Sequence, residues 1–129
     1  MSSIFSKIIA GDIPCYKIAE DDRFFAFLDI RPLQAGHTLV VPKVEVDYIF
    51  DLDDATLGDM MVFAKKIALA IKKVVPCERI GVAVIGLEVP HCHIHLSPIN
   101  GLGDMDFRNP KSFSADFMQE LAEQIKSNL

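Results

Sequence analysis

Three histidines at alternate positions, His91-Cys92-His93-Ile94-His95, are the residues of this chain best suited to chemistry. In an extended strand successive side chains point to opposite faces. This spacing therefore puts all three imidazoles on one side and turns Cys92, Ile94 and Leu96 to the other. The fourth and last histidine, His37, stands just before another strand-like run, Thr38 to Val41. With no histidine scattered elsewhere, a functional face is favoured over incidental surface histidines. Two chemistries use such a face. One is metal binding, with Glu88 and His37 as further ligands, although no Cys or Asp is spaced to complete the sphere. The other is phosphoryl or nucleotidyl transfer, in which a neutral imidazole attacks phosphorus while its neighbours stabilise charge on the phosphate oxygens. An unperturbed pKa of about 6.5 suits histidine to both tasks. The middle one, His93, is best placed to attack.

The elements that must hold these residues are readable from periodicity. Ser3 to Ala10 predicts a short helix with Ile4, Phe5, Ile8 and Ile9 on one side and Gly11 just past its end. Tyr16 to Glu20 and Phe24 to Leu28 are strand-like runs around the acidic turn Asp21-Asp22, and Pro32 and Gly36 punctuate the approach to Thr38 to Val41. From Ala55 to Val74, Leu57, Met61, Ala64, Ile67, Ala68 and Ile71 recur at helical spacing, with Asp53 or Asp54 as N-cap. Two further strands are expected at Arg79 to Ile85 and Val89 to Ile99. Only Gly86-Leu87-Glu88 divides them, which predicts a tight antiparallel hairpin. A loop marked by Gly101, Gly103, Asn109 and Pro110 leads to a last helix, Ser114 to Ser127, with an apolar face of Phe117, Met118, Leu121, Ala122 and Ile125.

Together these give an α+β chain of one domain, residues 1–129, with a helical C-terminal extension from about residue 112. An apolar content of 50% in 129 residues is enough for one sizeable core. Thirteen basic against 18 acidic residues, a net charge of −5, disfavour nucleic acid as a partner. Neither a signal peptide nor an apolar run long enough to span a bilayer is recognisable, so a cytoplasmic protein with no membrane association is expected. Cys15, Cys77 and Cys92 are odd in number and lack CxxC spacing, so reduced thiols are expected.

His91-Cys92-His93-Ile94-His95-Leu96-Ser97 closely resembles the signature of the histidine-triad superfamily, in which three histidines alternate with apolar residues. The likeness extends over about residues 3 to 100. It includes Ile4 to Pro14, Glu20-Asp21-Asp22, Ala26-Phe27-Leu28-Asp29-Ile30-Arg31-Pro32 and Gly36-His37-Thr38-Leu39-Val40-Val41-Pro42-Lys43, which are similar to the Hint branch in order and spacing. The resemblance implies an antiparallel five-stranded half-sheet with a central helix, ten-stranded across a homodimer. It also implies cleavage of a purine nucleotide such as AMP carrying a substituent on its α-phosphate, an adenosine 5'-monophosphoramidase-like activity. By the same likeness His93 is the nucleophile, His95 and His37 line the phosphate site and His91 begins the triad. Asp29 holds the ribose hydroxyls, while Ile4, Phe5, Ile8, Phe27 and Ile30 wall the base pocket. Backbone amides around His93 to His95 supply further phosphate contacts.

The chain departs from the branch in three places. Ser3, Ser6 and Glu45 stand where many bacterial relatives carry two cysteines and a histidine that bind zinc with the first triad histidine, so neither a metal nor another cofactor is expected. The approach to the triad, Val84 to Pro90, is short and lacks the usual Asn, Gln or Ser, leaving Glu88 as the polar residue there. The tail after Asn100 is unlike that of the branch. Two alternatives to the hydrolase follow: a nucleotide-binding interaction protein with little turnover, and a metal-dependent hydrolase using the same histidines.

Overall fold

The computed structural model describes residues 2–129. Its elements are α1 (Ile4–Ile9), β1 (Lys17–Glu20), β2 (Phe24–Leu28), β3 (Thr38–Pro42), α2 (Asp54–Val74), β4 (Arg79–Ala83), β5 (Ile94–Ile99) and α3 (Ala115–Lys126), with short 3-10 turns at Ile49–Asp51 and Leu102–Met105. The five strands form one sheet in the order β1-β2-β3-β5-β4, and every pairing is antiparallel. Local chemistry sets the helix starts. The side chains of Ser3, Asp53 and Ser114 each accept a backbone N–H from the first turn of α1, α2 and α3 respectively, which satisfies a donor the helix itself leaves unpaired.

The sheet is covered on both faces, and strand alternation divides its residues between them. Phe24, Ala26, Leu28, Val40, Cys92, Ile94 and Leu96 join Met60, Phe63, Ile67 and Ile71 of α2 and Leu121 and Ile125 of α3 in the main core. Phe25, Phe27, Leu39 and Val41 point the other way and meet Phe5 of α1 in a smaller apolar cluster. Both faces being covered explains why β2, Phe-Phe-Ala-Phe-Leu, is apolar at every position.

The expected hairpin before the triad is corrected. β4 ends at Ala83 and β5 begins at Ile94, so the two strands pair antiparallel but residues 84–93 form an open connection. Pro90 has no N–H for a ladder, His91 donates its N–H back to Val89 O, and Cys92 N–H turns to Val46 O on the opposite side. The inward face of α2 is also shifted from expectation. Met60, Phe63 and Ala70 are buried, whereas Met61 is 47% exposed. Met60 to Phe63 are four apolar residues in a row, so their pattern alone does not show which side faces in. Phe117 of α3 is likewise partly exposed and stacks on Phe113, their ring centroids 5.0 Å apart. No helix among the described residues is long and apolar enough to cross a membrane.

Candidate active site

β5 and the connection before it carry the triplet, and β3 carries its neighbours. His95 pairs across the sheet with Leu39, which itself pairs with Phe27, so one imidazole and two apolar side chains share a face. His37 reaches this face through a tight turn. Its N–H donates to Gln34 O, and Gly36 adopts φ +95°, a conformation that L residues rarely adopt and glycine takes freely. A Cβ on Gly36 would also press on Val75, Ile71 and Pro98 at 3.2–3.3 Å. Although His91 and His93 precede β5 proper, extended alternation persists. The rings of His93 and His95 lie 4.8 Å apart, and Phe5 packs edge-on against His93 and His91.

Hydrogen-bond partners set the tautomer of every imidazole. His93 Nδ1 lies 2.8 Å from the carbonyl of His91. A carbonyl only accepts, so Nδ1 carries the hydrogen and Nε2 keeps a free lone pair. His37 Nδ1 accepts the N–H of Leu33 at 3.0 Å, which places the hydrogen on Nε2. That Nε2–H donates to His95 Nδ1 at 2.9 Å, leaving His95 with a free Nε2–H. The site thus offers one nucleophilic nitrogen and, beside it, one hydrogen-bond donor.

Burial keeps these rings neutral. Loss of solvent lowers the pKa of His93 below its ordinary value, only partly opposed by its bond to His91 and by the charges of Asp29 and Glu88. It lowers His95 to about 3, reinforced by His93 and His37, and it lowers His37 against the pull of Asp29. The neutral form is the one able to attack phosphorus.

A cavity of about 530 Å³ opens over this face, within the size range of small-molecule sites. Of the residues singled out from sequence, Ile4, Phe5, Ile8, Phe27, Asp29, Ile30, Glu88, His93 and His95 line it together. Asp29 presents one oxygen to its own turn, accepting Arg31 N–H, and its other oxygen lies 3.7 Å from His37 Nε2. Glu88 sits on the connection of residues 84–93, whose Ile85, Leu87 and Val89 form another wall. His37 and His91 are not lining side chains. The first is buried behind His95, and the second is fully buried with both ring nitrogens engaged by Ser3 and Pro42 O. His37, expected at the phosphate site, thus stands one ring behind the cavity wall, and His91 opens the triad from a position buried away from it. Phe107, in the loop after β5, lines the cavity and packs edge-on to His95 at 4.8 Å. It was not singled out from sequence, because nothing in its patternless loop marks it.

Asp29, His37 and His95 bring ligand atoms within 4.8 Å of one another. The donor set does not fit a cation. With Leu33 N–H on Nδ1, the Nε2 of His37 bears the hydrogen, and the lone pair it faces on His95 is already engaged.

The HIT domain model matches residues 10–101 of this sequence. The chain belongs to the histidine-triad family. It is 35% identical to an uncharacterised HIT-like protein of Borreliella burgdorferi, over 98% of this chain and 97% of that one. An adenosine 5'-monophosphoramidase of Schizosaccharomyces pombe is 46% identical over 55% of this chain and 53% of its own length. Among solved structures, a zinc-bound histidine triad family protein from Mycobacterium smegmatis superposes with a TM-score of 0.85 at 28% identity, covering 99% of this chain and 93% of that one. These likenesses place the five-stranded sheet and its helices in the histidine-triad fold. In this family member, the positions at which resemblance put a zinc site hold two neutral hydroxyls, a carboxylate and His91. Both nitrogens of His91 are occupied by hydrogen bonds, which leaves the Glu45 carboxylate as the one suitable ligand where structural zinc takes four, so these residues do not fit the ion.

Proposed function

We propose that this histidine-triad protein hydrolyses adenosine nucleotides substituted at the α-phosphate, as an adenosine 5'-monophosphoramidase. The observation that carries the assignment is the pair of free imidazole nitrogens at the cavity: the lone pair of His93 Nε2 beside the N–H of His95 Nε2. In the first step Nε2 bonds to the α-phosphorus, and the bond to the leaving amine breaks with its electron pair going to the amine, which takes up a proton from solvent water that the attacking water of the second step gives back. In the second, water displaces His93 and yields AMP. His95 Nε2–H stabilises charge on the phosphate oxygens as it builds. Asp29 accepts the ribose hydroxyls, and Phe5, Ile8, Phe27 and Ile30 enclose the base. The kinship with the S. pombe enzyme supports the substrate class.

The test is AMP release from adenosine 5'-phosphoramidates with a chelator present. His93→Ala should slow turnover on the order of ten-thousandfold while still binding AMP, and the unmodified chain should yield a nucleotidyl-His93 adduct on rapid quenching. Unimpaired turnover by His93→Ala overturns the mechanism. AMP binding without turnover or adduct in the unmodified chain leaves a binding protein instead.

The proposal includes a homodimer. β4 is an unpaired edge, its Val82 and the following Val84 and Ile85 are exposed, and Met61, Val62 and Leu69 of α2 add exposed apolar surface. Light scattering should therefore return twice the 14.3 kDa mass of one chain.

A further inference from the structure

Behind the cavity lies a polar cluster that the reaction does not touch. Ser3 is buried, and its Oγ lies 2.7 Å from His91 Nδ1. On the other side of the ring, His91 Nε2 lies 2.7 Å from Pro42 O. The carbonyl accepts only, so Nε2 bears the hydrogen and Ser3 must donate its hydroxyl hydrogen to Nδ1. The same Ser3 Oγ accepts Ser6 N–H at 3.0 Å as the N-cap of α1. The carboxylate of Glu45 takes the N–H of Ser3 at 2.6 Å and the hydroxyl of Ser6 at 2.7 Å. Ser6, whose own hydrogen goes to Glu45, offers its Oγ as a second acceptor for the Ser3 hydroxyl at 3.3 Å, but the lone pair of His91 Nδ1 at 2.7 Å is much the nearer.

We infer that Ser3 and Glu45 are positioning residues for His93, acting through His91 as a clasp built without metal. This rests on His93 being the nucleophile. A ring gripped at both nitrogens cannot turn, and the backbone of the same residue supplies the carbonyl that holds His93 Nδ1–H. The clasp also ties the start of α1 to the loop after β3. Phe5, two residues from Ser3, packs on both His91 and His93. One hydroxyl hydrogen at Ser3 thus fixes the ring of the residue whose carbonyl orients His93. Glu45 contributes by orientation rather than by strength, because its carboxylate is exposed to solvent and ion-pair or hydrogen-bond energy there is small.

The experiment compares Ser3→Ala, Ser3→Thr and Glu45→Ala with the unmodified chain by four readouts: single-turnover AMP-adduct formation on His93, AMP affinity, Tm, and the ¹⁵N shifts of the His91 and His93 rings. Ser3→Ala should slow adduct formation on the order of 10-fold to 100-fold. AMP affinity should hold, and the His93 ring should pass from a single Nδ1–H tautomer to a mixture. Ser3→Thr keeps the hydroxyl and should keep both the rate and the tautomer. Glu45→Ala should show the same shift as Ser3→Ala to a smaller degree. A rate loss that merely follows Tm, with the His93 tautomer unchanged, overturns the clasp, as does a Ser3→Ala protein with unaltered rate and ring shifts. The ring shifts are read in the resting protein. If the unmodified chain forms no adduct, an unchanged tautomer in Ser3→Ala still overturns the clasp, while a changed one supports it and the failure belongs to the proposed reaction alone.

Discussion

The two faces of the sheet are built from the same strands yet do opposite work. On one, Ile94, Leu96 and Val40 are fully buried against α2 and α3, and the hydroxyl of Thr38, buried at the same parity of β3 as Val40, is spent on Gly36 O. On the other, the next residues along the same strands, His93, His95 and Leu39, border a cavity and share their cover with one short helix and two loops. The first face holds apolar area out of water; the second holds buried imidazoles, each held by a specific partner. Stability and chemistry are therefore separated by a single step along β5, and each can be disturbed while the other is watched.

The largest disturbance of the core face alone is Ile67→Ala, at a fully buried position of α2. Unfolding in urea should show a loss of about 4 kcal/mol, with the turnover of the remaining folded protein unchanged. Acid should strike the site face next. In the unfolded chain histidine titrates at about 6.5, whereas native His37, His93 and His95 are all lowered, His95 to about 3. Between those values the unfolded state binds more protons, so this contribution is fully present above about pH 6.5 and is lost as pH falls toward the native values. His95 alone accounts for roughly 3 kcal/mol by pH 4. Tm measured from pH 7 to pH 4 should fall, and His95→Gln should flatten that fall. The smallest effect expected is in Asp29→Asn, which keeps the acceptor for Arg31 N–H but removes the charge offered to the ribose. Steady-state kinetics should show KM raised about tenfold with kcat little changed, the mark of binding lost equally in ground and transition states. A large fall in kcat would instead mean that Asp29 acts on the histidines.

The alternation of His91, His93 and His95 made their shared face legible in the sequence, because a period of two survives even where regular pairing has not begun. The cap of Asp53 was legible for a similar reason, being a local device that needs no knowledge of the rest of the chain, whereas Ser3 read only as the first residue of a helix. The open connection before the triad was not. Val89, Cys92 and Ile94 look like strand residues, and what prevents pairing at Cys92 is a hydrogen bond to Val46, distant in sequence. The pocket walls were beyond composition too. By residue type Phe27 and Leu39 do not differ from Leu28 and Val40; resemblance alone put Phe27 in the pocket wall, and the register of β2, β3 and β5 is what separates the two pairs. Tautomers depend on single contacts such as Leu33 N–H with His37, which no motif records. Phe107 reached the site from a loop whose course is set by turns at Asp104 and Asp106 and by the bond of Gln34 to Asp104 O.

The bond between Ser3 and His91 joins residues 88 positions apart. Contacts of such separation form late, since closing a long loop costs entropy before any of its contacts can repay it. During synthesis the first turn of α1 must wait, its hydroxyl unspent, until more than two thirds of the chain has followed it. No fragment that stops short of β5 can assemble the cavity, so the onset of nucleotide binding in a refolding experiment marks the completion of the fold rather than its beginning.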